Sequence, residues 1–280
     1  MFATLVACTA LAGQTAPADI AWARSLNSAL SHAKKTKRLV LVDFYAYWSE
    51  PCKQMHRETY GDPRVVRKSR DFEMVQIDGE REGRPVARKY RVRGFPETLY
   101  LDASGRVVGR IAGFRPPEQM LDDMGRALGT SKDFPIFAAR ARRSSRDVEA
   151  LAGLARIYAF RGDGDAASAM LTRAEAADPE NSRGFLAGAF NAVGDFWQMS
   201  LHFNEAIPLF RKAAKLGKAP SQIAYARASL AACLYSQGRD DEAIRELQAV
   251  VAMKDAPEKD KEDARKAIEE IRASRSGPPR

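Results

Sequence analysis

LVLVDFYAYWSEPCKQM, residues 39–55, decides how the first half of this chain folds. Leu39 to Tyr45 is a continuous apolar run with one acid, Asp43, inside it, a pattern that predicts a strand buried on both faces. A helix should begin near Ser49-Glu50-Pro51. Proline in a first helical turn gives up an N–H that has no intrahelical partner anyway, and serine is a favoured N-cap. Trp48, Ser49 and Cys52 therefore gather at the turn between a buried strand and a helix start.

Upstream, Leu26 to Lys37 reads as an amphipathic helix, with Leu26, Leu30 and Ala33 at helical spacing and the basic run KKTKR at its C-terminal end. Downstream, Asp62-Pro63 starts another helix, Phe72 to Ile77 is a second apolar strand, and Arg84 to Tyr90 is a short helix. Thr98 to Asp102 and Val107 to Ile111 are strands around the turn Ala103-Ser104-Gly105, and a helix from Pro117 to Leu128 follows. The order β, α, β, α, β, β, α predicts a mixed sheet flanked by helices.

In these residues the chain resembles the thioredoxins: a buried strand with an acid, then aromatic and small residues, Trp48, a four-residue box, and Lys53 on the following helix. Gly94-Phe95-Pro96-Glu97-Thr98 matches the cis-proline loop of that fold, and Ala112-Gly113-Phe114 a neighbouring loop. The run Arg57 to Pro63 is similar to the exported domains of thiol:disulfide interchange proteins. The resemblance implies an α/β thioredoxin-like fold over roughly residues 20 to 130. It departs from the family at the box, which reads Ser49-Glu50-Pro51-Cys52 where the family has Cys-x-x-Cys.

By the same resemblance the missing first cysteine would be the attacking thiolate, Cys52 the resolving thiol, Asp43 its proton acceptor and Pro96 the loop residue beside them. A hydroxyl forms no disulfide, so ordinary dithiol turnover should be lost, leaving at most a single-thiol reaction at Cys52. Each residue has a plainer reading. Ser49 can be a helix cap or an engineered replacement of cysteine, Asp43 a buried acid held by a hydrogen bond, and Cys52 a small core residue. What remains after the loss is a surface: Trp48, Phe95 and Phe114 should cluster beside the box as a client-binding patch, or else close a domain interface.

Beyond residue 147 strand signals stop and alanine-rich helical pairs begin. Leu154, Ala155, Tyr158, Gly162, Ala167, Leu171, Ala174 and Pro179 set a pattern, seven positions of which recur at matching offsets as Leu230, Ala231, Leu234, Gly238, Ala243, Leu247 and Val250. Small residues let paired helices approach and large ones fill the gap between pairs. This pattern resembles the tetratricopeptide repeat. A middle unit matches through Ala206, Phe210 and Ala213, with a first helix, Phe185 to Phe203, that reads several residues too long. Lys259 to Ser274 is expected to cap the array. Four segments result: a leader at 1–18, a thioredoxin-like domain at 19–130, a linker at 131–147 and an all-α repeat domain at 148–280.

With 45% apolar and 29% charged residues over 280 positions, composition excludes extended disorder, and no run is long and apolar enough for a transmembrane helix. The net charge of +9 lies toward the N-terminus: residues 1–130 carry 21 basic against 15 acidic side chains, and residues 148–280 carry 19 of each. Its densest run, Arg84 to Arg93, has no nucleic-acid motif beside it and reads as a solvated basic face. His32, His56 and His202 lack ligand spacing, so neither a metal nor a cofactor is expected. Cys233 reads as helix packing.

The N-terminus, with Ala16-Pro17-Ala18 as a small-x-small cleavage site, suggests export, and Leu5-Val6-Ala7-Cys8 a lipid anchor on Cys8. Two functional readings stand at this point. One is a periplasmic or envelope thiol-disulfide interchange protein. The other is a non-redox holdase or adaptor, similar to bacterial thioredoxin-like co-chaperones and compatible with a cytoplasmic location. Client proteins or peptides are the partners in both, with a further protein partner on the repeats.

Overall fold

The computed structural model describes residues 19–275. The leader, Ala16-Pro17-Ala18 and Cys8 lie outside the described residues. The chain divides into two compact units, one taking the chain up to Thr98 together with Ala112–Met124, the other Leu99–Ile111 together with the chain from Gly125 onward.

A five-stranded sheet has the order β1-β3-β2-β4-β5, with β1 at Trp22–Ala23, β2 at Leu39–Tyr45, β3 at Phe72–Asp78, β4 at Glu97–Leu101 and β5 at Val107–Ala112. β1 and β2 both run parallel to β3, and Asp43 is paired in register with Gln76. β4 and β5 are joined by the tight turn at Asp102–Arg106, closed by Asp102 N–H to the Arg106 carbonyl at 2.9 Å, which makes this pair antiparallel and the sheet mixed. β2 is buried from Leu39 through Phe44, the acid Asp43 included.

Helix α1 (Leu26–Thr36) starts with a reciprocal capping box between Ser25 and Ser28 and buries Leu26, Ala29 and Ala33. α2 (Glu50–Gln54) passes directly into a five-residue π-type segment, Met55–Thr59. α3 (Pro63–Ser69) is capped by the Asp62 carboxylate, which accepts from Arg64 N–H at 2.7 Å, and α4 (Arg84–Lys89) follows β3. α5 starts at Pro117, as expected, but runs to Arg143 instead of ending at Leu128. Pro135 lies inside it, where a proline costs about 3 kcal/mol relative to alanine, so the helix continues there against its local propensity.

The second unit holds three helical pairs: α6 (Val148–Arg161) with α7 (Gly164–Ala177), α8 (Leu186–Met199) with α9 (Phe203–Leu216), and α10 (Pro220–Ser236) with α11 (Asp240–Ala252). α12 (Glu258–Arg275) packs Ala264, Ile268 and Ile271 into the last core cluster, which is how it caps the array. The repeat positions are core positions. Ala155, Ala167, Leu171 and Ala174 are buried in one cluster, and Ala231, Leu234, Ala243 and Leu247 in another. The first helix of the middle pair is not too long. Leu201 adopts φ 61°, and the His202 N–H returns to the Trp197 carbonyl at 2.9 Å, ending the helix at the same 14 residues as α6. The left-handed turn is supplied there by a leucine rather than by the glycine that ends α6 at Gly162.

Candidate functional site

The turn from β2 into α2 carries the site. Ser49 stands at the N-cap position, where its backbone carbonyl accepts from the N–H groups of Cys52 and Lys53, each at 3.1 Å. Its side chain makes no capping bond. The hydroxyl instead hydrogen-bonds the Cys52 thiol and makes a long contact, 3.4 Å, to the Phe95 carbonyl. Ser49 thus occupies the cap site without capping, and its oxygen lies between the box and the proline loop.

Cys52 is 7% exposed. Burial is the main cause that holds its thiol above the usual range, and the nearby Asp43 carboxylate adds to it; the bonds from Ser49 and from the Ala46 backbone pull the other way. Asp43 is itself buried. Desolvation raises it from the ordinary 3.8 to about 6, against the opposing bonds from Gln76 and Tyr60. Gln76 Nε2 donates to Asp43 Oδ2 at 3.1 Å, across the β2–β3 register. A thiol that resists ionisation at neutral pH is a poor nucleophile, and a carboxyl raised to about 6 is mostly ionised there and able to take a proton.

Two loops complete the edge. The Phe95–Pro96 peptide is cis, as the sequence led us to expect, and the Pro96 carbonyl accepts from Gly113 N–H at 2.8 Å. That bond brings Gly113-Phe114 beside the proline. Behind it the Thr59 hydroxyl, at the end of the π segment, donates to the Arg115 carbonyl, and Arg115 pairs with the buried Asp123 at 3.2 Å. Gly94 and Gly113 both face open space: a Cβ at either would meet nothing within 4 Å.

Of the expected aromatic patch, Trp48 is open at 56% exposure, but Phe95 and Phe114 are only half-exposed. The Phe95 ring lies so close over Gly79 that a Cβ there would overlap it. Phe95 is thus a packing residue as well as an edge residue, and truncating it should cost stability. The sequence reading missed Tyr47, which at 57% is as open as Trp48. It also missed the turn that holds both. Trp48 Nε1 donates to Glu80 at 2.5 Å, and the Arg81 guanidinium sits 4.2 Å from the centre of the Tyr47 ring. Gln76 and Tyr60 were missed too. Gln76 had a signal, being a polar residue inside an apolar strand; Tyr60 had none.

Residues 26–127 match the thioredoxin-like domain family, and residues 150–183 match the tetratricopeptide repeat. The chain joins a thioredoxin-like domain to tetratricopeptide repeats. Similar proteins include the thiol:disulfide interchange protein DsbD of Ralstonia nicotianae, 35% identical over 114 residues covering 39% of this chain and 19% of that protein. DsbD of Pseudomonas fluorescens is 33% identical over 93 residues, covering 31% of this chain and 16% of its own length. The chain thus spans less than a fifth of these relatives. Among solved structures, a thioredoxin from Thermus thermophilus is 29% identical, covering 39% of this chain and 88% of its own, with a TM-score of 0.36. Among the described residues there is no cluster of metal-ligating side chains and no helix long and apolar enough to cross a membrane.

Proposed function

We propose that the thioredoxin-like domain binds extended segments of client proteins along the edge formed by Ser49–Cys52, Gly94–Pro96 and Gly113–Phe114, and that its disulfide chemistry is lost or confined to Cys52. The observation that carries this reading is the pairing of a loop edge open at Gly94 and Gly113 with a box whose attacking position is a hydroxyl and whose remaining thiol is buried and held protonated. An extended chain can add to such an edge through its backbone, with Tyr47 and Trp48 supplying apolar contact. The repeats would hold a second protein partner.

The test separates binding from chemistry. The chain should fail to catalyse dithiol-driven insulin reduction and should still bind a reduced, unfolded polypeptide. Trp48→Ala should weaken that binding roughly tenfold with little change in melting temperature, since an exposed side chain contributes mainly when a partner covers it. Turnover at the rate of an ordinary thioredoxin, or binding indifferent to Trp48, would overturn the reading.

A second reading, single-thiol interchange in the cell envelope, draws support from the interchange proteins to which this domain is similar. It predicts a trapped mixed disulfide on Cys52 in cells and recovery of the tagged protein in the periplasmic or membrane-anchored fraction. A cytoplasmic fraction without such adducts favours the holdase.

A further inference from the structure

On the helices that follow the box, most Lys and Arg side chains face carboxylates, Arg67 being the exception among the described residues. Arg57 pairs with Glu50, Arg64 with Asp62 and Lys68 with Asp71, at 2.9 to 3.3 Å. The strip that leads into the proline loop is different: from Gly83 to Pro96 the chain carries Arg84, Arg88, Lys89, Arg91 and Arg93 and no acid. All five are exposed, and the side chains of Arg84, Arg88 and Arg93 pair with no carboxylate among the described residues.

Helix electrostatics accounts for only part of this strip. Arg88 and Lys89, in the last turn of α4, are favoured by the helix dipole, and Lys89 also lies 5.4 Å from the centre of the Tyr90 ring. Arg84 opens the same helix, where the dipole disfavours a cation, and it stands four residues from Arg88, a like-charge neighbour. Arg93 lies beyond the helix. After α4 the Arg91 N–H bonds the Arg88 carbonyl at 3.0 Å and the Val92 N–H bonds the Ala87 carbonyl at 2.9 Å. The chain therefore folds back on the helix end and leads straight from Arg93 through the open Gly94 into Phe95-Pro96.

We propose that this strip is a docking surface for acidic polypeptide segments, selecting clients whose Asp and Glu residues flank the stretch seated on Gly94–Pro96. This rests on the binding edge proposed above and names the class of chain it prefers. An extended strand rises about 3.3 Å per residue, so a carboxylate a few positions from the seated stretch comes within reach of Arg93 and then of the α4 arginines. The uncompensated charge selects an anionic partner, and continuity with the loop edge selects a polypeptide. Single-stranded nucleic acid needs open aromatic faces to stack on, and of the two rings in the strip Tyr90 is buried and Phe95 packs over Gly79.

The experiment uses the full chain and two fluorescent peptides with the same apolar, extended centre, one flanked by glutamates and the other by glutamines. The wild type should bind the glutamate peptide about tenfold more tightly, with the preference fading as salt is added. The triple variant Arg84→Gln, Arg88→Gln, Arg93→Gln should lose the preference and keep its affinity for the glutamine peptide; lysine at the same three positions should retain the preference. Equal affinities in the wild type overturn this inference and leave the binding edge standing. Failure to bind either peptide removes the edge and the inference together. An oligonucleotide of matched charge that binds more tightly than the glutamate peptide, and is lost in the triple variant, also overturns it.

Discussion

Cys52 and Cys233 are both buried cysteines, and each faces a carboxyl group that burial has pushed up to about 6: Asp43 in the first case, Asp195 in the second. Burial is the first cause that raises each thiol, and the facing carboxylate adds to it, taking Cys233 to about 11. The pairs differ in what surrounds them. Cys233 is wholly enclosed, in the last turn of α10, in one core cluster with Leu230, Leu234 and Leu247. Cys52 stands at a helix start, with Ser49, the open glycines of two loops and two exposed aromatic rings around it. A thiol beside a buried acid is therefore not a site by itself. Access and a helix start separate the one from the other.

The largest effect expected from this difference is on chemistry. Ser49→Cys puts a thiol at the helix N-terminus, where the dipole lowers its pKa, with Cys52 in place to resolve it. Dithiol-driven insulin reduction should rise by at least about a hundredfold over the wild type. The control is Leu230→Cys, which gives the same spacing to Cys233 inside α10 and should yield no activity in a folded protein. Activity from both variants would show that spacing alone suffices.

How far the sequence carried this comparison depends on the range of the signal. The run Leu39 to Tyr45 and the position of Pro51 are local signals, and both strand and helix form where they indicate. The repeat offsets are legible because each position has one packing partner type, small or large. The length of α5 was not legible. Gly129 and Pro135 both disfavour a helix between Leu128 and Arg143, so local propensity argued for an end where the chain stays helical. At the site, Asp43, Ser49, Cys52 and Pro96 were readable from a motif. The Trp48–Glu80 bond joins residues 32 positions apart, and the Phe95 ring on Gly79 depends on a close approach between two loops. Neither leaves a pattern in the chain.

The next effect is on stability at Asp43. Its folded pKa, about 6, exceeds the ordinary 3.8, so the native state disfavours the charged form. The stability associated with this group is therefore fully present below about pH 4 and is lost as pH rises through 6. Asp43→Asn keeps a polar group near Gln76 and cannot ionise. By chemical denaturation near pH 8 it should be more stable than the wild type by up to about 3 kcal/mol, with the gain vanishing near pH 4. A constant difference across pH would mean that the change acts through packing and not through the buried charge.

The smallest effect belongs to the matching residue in the repeats. Asp195 is also raised to about 6, chiefly by burial, with Tyr225 and Arg126 opposing. It accepts from the Tyr225 hydroxyl at 2.8 Å, but Tyr225 is itself 48% exposed, and solvent this close screens the charge. Asp195→Asn should show the same sign, a gain appearing as pH rises through 6, yet one below about 1 kcal/mol, because part of the cost of ionisation is already met by water and by the tyrosine. An equal gain at both positions would mean that the two carboxyls are equally enclosed and that the solvent beside Tyr225 screens nothing. A loss of stability at every pH would show instead that the Tyr225 bond outweighs the charge, so that α8 and α10 are held there by a hydrogen bond that the substituted amide does not reproduce.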